Sequence, residues 1–153
     1  MSDEDLLRFA AIAHDDLATL LMAASRSVNE QALGAIDPQG TSGIRIAHVP
    51  LIAALEPGGA RFVTLAARMG ISRQAVASLV RDLTDAKVTE VVADPLDGRA
   101  QLVRLTQLGD DFCRRAADYL EERERRWRRQ YGNESIAAVR KVLRGLTEAR
   151  GGD

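Results

Sequence analysis

Apolar positions recur at helical spacing along most of the chain and switch to strand-like runs only near its middle. Leu6, Phe9, Ala13, Leu17, Leu20, Ala24 and Val28 fall every three or four residues. That spacing predicts one long amphipathic helix over residues 3–33. Ser2 and the acids Asp3, Glu4 and Asp5 form a start signal, because negative charge is favoured at a helix N-terminus. At 1.5 Å rise per residue such a helix is about 45 Å long. One small domain does not cover that length, so part of the stripe is expected to meet a second subunit. Residues 34–43 (GAIDPQGTSG) read as a loop. Residues 44–55 read as the next helix, starting late or kinked at Pro50. Glu56-Pro57-Gly58-Gly59 reads as a turn and lacks the Gly-Lys-Ser/Thr that would make it a phosphate loop.

Residues 61–109 hold the most informative pattern. Arg61, Phe62 and Val63 are assigned to a short strand, and Thr64 to the N-cap of a helix carrying Leu65, Ala66 and Met69 on one face. Gly70 is a stop residue suited to positive φ. Ser72 then caps a second helix. Its apolar stripe is Val76, Leu79, Val80 and Leu83, extended backwards by Ile71 and Ala75. Its opposite face carries Arg73, Gln74, Ser78 and Arg81. Two helices joined by a glycine turn, the second with a polar outer face, form a helix-turn-helix pattern. Residues 88–93 are rich in β-branched side chains and read as a strand. Asp94-Pro95-Leu96-Asp97-Gly98 is dense in turn residues, and residues 100–106 read as a second strand. A helical hairpin alone is common. Followed by a β-hairpin tipped by Arg99, it is the pattern of a winged helix.

After the hairpin, Thr106 is assigned as the cap of a helix reaching about residue 130, with Leu108, Phe112, Ala116, Tyr119 and Leu120 as its buried stripe. The run EERERRWRR at residues 121–129 reads as a solvated face laced with i, i+4 ion pairs, and Trp127 as an anchor on another helix. Gly132-Asn133 separates it from a last helix with Ile136, Val139, Val142, Leu143 and Leu146 on its apolar face, and Gly151-Gly152-Asp153 form a loose tail.

Two motifs, LAARMGISRQAVASLVRDL at residues 65–83 and DPLDGRAQLVRLTQLG at residues 94–109, resemble the MarR family of bacterial transcription regulators. The likeness covers about a third of the chain, and the flanking helices fit the family by length and pattern. It implies a mainly α fold with a small β-wing: a winged helix-turn-helix at residues 44–106, with dimerisation helices at 1–33 and 107–150 of one domain. It also implies a two-fold dimer that presents two recognition helices about one turn of DNA apart. There are two departures. Lys87 stands where the family usually has glycine, at a cost of roughly 1 kcal/mol if the backbone there is left-handed. Val91 stands where the family often has arginine, which makes this wing less basic.

Composition adds limits. The chain has 153 residues, net charge −1, 46% hydrophobic and 28% charged residues, as an ordinary globular domain does. It is therefore no polycation that coats nucleic acid indiscriminately. Its charges are segregated. Asp3, Glu4, Asp5, Asp15, Asp16 and Glu30 outweigh Arg8 and Arg26 at the start. In residues 61–104, Arg61, Arg68, Arg73, Arg81, Lys87, Arg99 and Arg104 outweigh Asp82, Asp85, Glu90, Asp94 and Asp97. There is one cysteine, Cys113, and hence no intrachain disulfide. With no signal-peptide pattern and no membrane-length apolar run, the expectation is a cytoplasmic protein without a membrane partner.

Catalysis finds little support. His14 and His48 are the only histidines, and neither a zinc-protease pattern nor a nucleophile elbow occurs. No metal site or cofactor is expected. Asp94 and Asp97 lie in a turn, where an Asp97–arginine structural pair is expected in place of acid–base work. Cys113 reads as buried and inert. His48 has two readings. It is bonded into the helix-packing layer, or it contacts a small aromatic or phenolic effector, since family members often bind such ligands at the junction of frame and reading unit.

The expected DNA-binding residues are Arg61, Thr64, Ser72, Arg73, Gln74, Ser78, Arg81 and Arg99. Ser72 aims the recognition-helix N-terminus at a phosphate. Arg73 and Gln74 suit guanine and adenine edges. Ser78 and Arg81 reach bases or backbone, Arg99 is the wing contact, and Arg61 and Thr64 touch phosphate. Two functions remain: a sequence-specific regulator of double-stranded DNA, a homodimeric repressor responsive to a ligand; or a winged-helix protein-interaction module without DNA readout.

Overall fold

The computed structural model describes residues 3–148. Ser2 and the loose tail read from residues 151–153 lie outside the described residues. The chain divides into two compact units, residues 1–113 and 114–153. Among the described residues no helix is long and apolar enough to cross a membrane.

The first unit begins with α1 (Asp3–Ala13) and α2 (Leu17–Ile36), where the sequence pattern predicts one continuous helix. Asp16 makes the break. Its backbone is extended, and its carboxylate accepts from the N–H groups of Ala18 at 3.0 Å and Thr19 at 3.2 Å, a complete N-cap. The apolar period continues across the break from Ala13 to Leu17, which is why periodicity alone misses it. At its other end α2 runs past Gly34 to Ile36. Burial of Ala32 and Ile36 outweighs the roughly 1 kcal/mol that an internal glycine costs a helix.

The expected helix of residues 44–55 is a short 3-10 turn (Ile46–His48) followed by α3 (Val49–Ala54), with Pro50 in its first turn, where a missing N–H is harmless. Next come β1 (Ala60–Arg61) and α4 (Phe62–Met69). The third strand thus lies one residue earlier than the sequence suggests. Thr64 sits inside α4, whose cap is Arg61, not Thr64. β1 pairing draws the chain into the helix early: Ala60 pairs with Val103 and Arg61 with Leu102.

Gly70 closes α4 at φ +64, and Ser72 opens α5 (Arg73–Asp85) by accepting the Ala75 N–H at 3.1 Å. The wing is β2 (Thr89–Asp94) and β3 (Asp97–Leu105), and the sheet is antiparallel in the order β1-β3-β2. Leu51, Leu65, Val76, Val80, Leu83, Val88 and Val103 are buried together beneath it.

α5 ends in a Schellman motif. The Val88 N–H donates to the Leu83 carbonyl at 2.9 Å and the Lys87 N–H to the Thr84 carbonyl at 3.0 Å. This geometry needs a left-handed residue, and Lys87 supplies it at φ +62, alone among the described non-glycine residues. Thr106 then joins the wing to α6 (Gln107–Tyr131). Its hydroxyl donates to the Lys87 carbonyl at 2.6 Å and accepts the Gly109 N–H at 3.3 Å, the cap expected of it. Gly109 packs so close to Val88, the residue before β2, that a Cβ there would collide with the Val88 carbonyl oxygen.

The second unit holds the later turns of α6 and all of α7 (Asn133–Glu148). Glu124 accepts from Arg128 at 2.9 Å and from Arg140 of α7 at 2.7 Å. The Arg123 guanidinium lies over Trp127, 4.8 Å from the ring centroid. Trp127, Ile136, Val139 and Leu143 line an apolar groove of about 360 Å³. Of the stripe predicted for α6, Phe112 is buried, whereas Leu108 and Leu120 are exposed. Leu7, Phe9 and Ile12 of α1 are more than 60% exposed, and Val139, Val142 and Leu146 of α7 about half exposed.

Two stability measurements check this account. Lys87→Gly relieves the left-handed strain at some cost in chain entropy, for a net gain of about 0.5–1 kcal/mol. The urea midpoint should rise at unchanged slope. Gly109→Ala forces a methyl against the Val88 carbonyl and should lower stability by about 1–3 kcal/mol in the same titration.

Candidate nucleic-acid interface

α5 buries Val76, Val80 and Leu83 and turns its other side to solvent. A helix with 3.6 residues per turn so anchored must present residues 73, 74, 78 and 81 outward. Arg73, Gln74, Ser78 and Arg81 are all exposed, as is Ser72 at the cap. The first turn of α5 faces the wing across a concavity of about 900 Å³. Arg73, Gln74, Arg61 and Arg99 all border it, together with Val91, Ala93 and Gln101 on the wing. The fold thus brings four of the eight expected residues around one cleft. Ser78 and Arg81 lie further along α5, and half-buried Thr64 sits on α4, outside the cleft lining.

Of the wing residues in the cleft, Val91 was noted in the sequence only as a departure from the family, and Ala93 and Gln101 were not singled out. A signal for them exists: Val91 and Ala93 are two apart on one strand, and Ala93 pairs with Gln101 on the next, so they share a sheet face.

The cations of the reading element divide into two sets. Arg68 is paired with Glu56, Arg104 with Glu90 at 2.7 Å, and Arg61 with Asp94 at 2.5 Å. Arg73, Arg81, Lys87 and Arg99 have no ion pair among the described residues. Three of these four stand on the outer face of α5 or at the wing tip, where a polyanion can reach them.

Arg61 differs from its neighbours. Its Nε donates to Asp94 Oδ2 at 2.7 Å, and its Nη1 lies 3.6 Å from Asp97, the aspartate expected to pair with an arginine. The Leu96 N–H, 2.8 Å from Oδ1, is the main cause holding the Asp94 carboxyl below the usual carboxylate range, with Arg61 adding to it.

His48 is 1% exposed. Its Nδ1 accepts the Arg45 N–H at 3.1 Å, and its Nε2 lies 3.2 Å from the Arg45 guanidinium and 3.4 Å from Asp82 of α5. Asp82 is also paired with the Arg45 guanidinium. Both ring nitrogens thus face protein groups, and the three side chains tie the turn before α3 to α5. Cys113 is half-buried, and desolvation, assisted by Asp110, raises its thiol pKa.

No protein-family model and no curated protein matches the chain. Solved structures do. A MarR family transcription regulator superposes with TM-score 0.70 at 19% identity, covering 97% of this chain and 93% of its own. The transcriptional repressor CouR, bound to a 23-mer DNA duplex, gives TM-score 0.69 at 22% identity, covering 88% and 94%. PcaV from Streptomyces coelicolor, in complex with its natural ligand, gives 0.67 at 21%, covering 90% and 95%. At these identities the likeness speaks to architecture, and by that measure the chain has the winged-helix fold of the MarR family transcription regulators.

Proposed function

We propose that this chain is a sequence-specific, double-stranded-DNA-binding transcription regulator, acting as a homodimer and answering to a small aromatic or phenolic effector. One observation carries the DNA reading: Arg73 and Arg99, with no ion pair among the described residues, border a single cleft together with Gln74 at the start of an exposed helix. Arg73 suits the O6 and N7 of guanine, Gln74 the N6 and N7 of adenine. Ser72 leaves the helix N-terminus open to a phosphate. Ser78 and Arg81 extend the contact along the groove, and Arg99 serves the wing.

The homodimer rests on the apolar faces of α1 and α7, which stay exposed in a single chain. A two-fold partner covers like with like and sets two recognition helices about 34 Å apart, one turn of the duplex. Residues 1–33 and 107–150 are the dimerisation segments of this reading, and residues 44–106 the DNA-binding element. Repression follows the DNA-bound neighbour CouR, and effector response follows PcaV with its natural ligand. An effector works here by binding more tightly to the geometry that does not fit DNA. For His48 the bonding pattern favours a packing role, coupling α5 to the turn before α3, over direct contact with the effector.

The test is selection of bound fragments from genomic DNA, followed by titration at two salt concentrations. A regulator recovers a pseudo-palindrome and binds it in a salt-dependent way. A protein-interaction module, which the near-neutral charge and Val91 favour, does neither. Arg73→Ala should cost about 1–3 kcal/mol and relax sequence preference at one position of each half-site. Arg99→Ala should weaken binding to all fragments alike and lower the salt slope by about 1 per protomer. If neither change alters binding, the assignment of the face is wrong.

A further inference from the structure

We propose that Arg61 is a positioning residue for the wing: through the Asp94 carboxylate it locks the β2–β3 hairpin so that Arg99 is presented to DNA. The inference rests on the DNA-binding reading above and replaces a direct phosphate contact by Arg61.

The wing needs such a lock. A two-stranded ribbon is marginally stable by itself in water. β1 supports β3 only at Val103 and Leu102. From Gln101 to the turn the hairpin has no third strand, and a bulge interrupts its pairing between Ala93 and Asp94. Arg61 is the last residue of β1, and its guanidinium reaches Asp94 and Asp97 at the two ends of the turn.

Both oxygens of Asp94 are engaged. Oδ1 takes the Leu96 N–H at 2.8 Å, and Oδ2 takes Arg61 Nε at 2.7 Å and Nη2 at 2.5 Å. Asp94 is only 6% exposed, so the carboxylate end of these contacts is shielded, while the Arg61 side chain is 41% exposed. Asp97, across the turn, also faces the guanidinium and accepts the Arg99 N–H at 3.2 Å. Arg61 thus connects, through two carboxylates, to the backbone on both sides of the turn and to that of Arg99 itself. A guanidinium fork can hold this geometry. A lysine ammonium of the same charge cannot.

The two roles for Arg61 predict opposite signs for Asp94→Asn. That change removes a negative charge beside the cleft and puts an N–H₂ donor against either the guanidinium or the Leu96 N–H. If Arg61 were a phosphate contact, Asp94→Asn would free it and strengthen binding. If Arg61 positions the wing, the same change weakens binding despite the favourable charge.

The experiment measures operator affinity by fluorescence anisotropy, with hydroxyl-radical footprints, for the unaltered chain, Asp94→Asn, Arg61→Lys, Arg99→Ala and Asp94→Asn with Arg99→Ala. The expected result is a loss of about tenfold, one charged contact's worth, in each single variant. Protection under the wing should vanish while that under α5 stays. Asp94→Asn should add no further loss in the Arg99→Ala background, because its effect runs through Arg99. Without DNA, amide exchange at Leu96 and Arg99 should quicken in Arg61→Lys, which keeps the charge and reports on the wing directly. Binding by Asp94→Asn equal to or tighter than that of the unaltered chain overturns the proposal, as does Arg61→Lys binding at full strength. If the unaltered chain itself selects no DNA, the DNA-binding reading fails instead.

Discussion

The burial of one stripe of α5 is the constraint on which the rest of the molecule depends. Val76, Val80 and Leu83 are each no more than 3% exposed, locked among Leu51, Leu65, Val88 and Val103. Interiors pack at near-crystalline density, so a helix held on one side by such contacts has no freedom to roll. Its other side is thereby fixed in direction as well as in composition. Arg73, Gln74, Ser78 and Arg81 point outward because three aliphatic side chains cannot. The same core fixes the base of the wing through Val88 and Val103, so helix and hairpin share one rigid footing.

From that footing the polar parts are set out by short local bonds. The Schellman motif at Lys87 turns the chain out of α5, and Val88, the residue after it, enters the core. The Thr106 hydroxyl donates to the Lys87 carbonyl and caps α6, so the two ends of the wing are fastened at one place. Arg45, His48 and Asp82 fasten the opposite side of α5 to the turn before α3. Each link spans few atoms and is met by a specific donor or acceptor, which makes the arrangement directional where the apolar core alone is not.

Much of the fold was legible in the sequence, and for stated reasons. The Ser72 cap, the Gly70 stop, the α5 stripe and the wing hairpin all follow from rules acting over four residues or fewer. The break at Asp16 is a local cap, hidden in the sequence by an apolar period that runs on across it. The cap at Arg61 in place of Thr64 and the exposure of Leu108 and Leu120 turn on what a segment meets in space. Thr64 has the chemistry of a cap, but β1 pairing starts the helix before it. Leu120 has the spacing of a core residue, but a single chain offers it no cover.

For the interface the division is similar. The residue types at Arg73, Gln74 and Arg99, and their separation along the chain, were determined by the sequence, because helical and hairpin periodicity dictate which side chains share a face. Only the tertiary structure decided which arginines are free and which are spent. Arg61 and Arg99 are both basic residues of the reading element, yet the fold pairs one with Asp94 and gives the other no ion pair among the described residues. Charge is a property of a residue, but its availability depends on the carboxylates the fold brings within a few ångströms, and no local pattern encodes a partner 33 positions away.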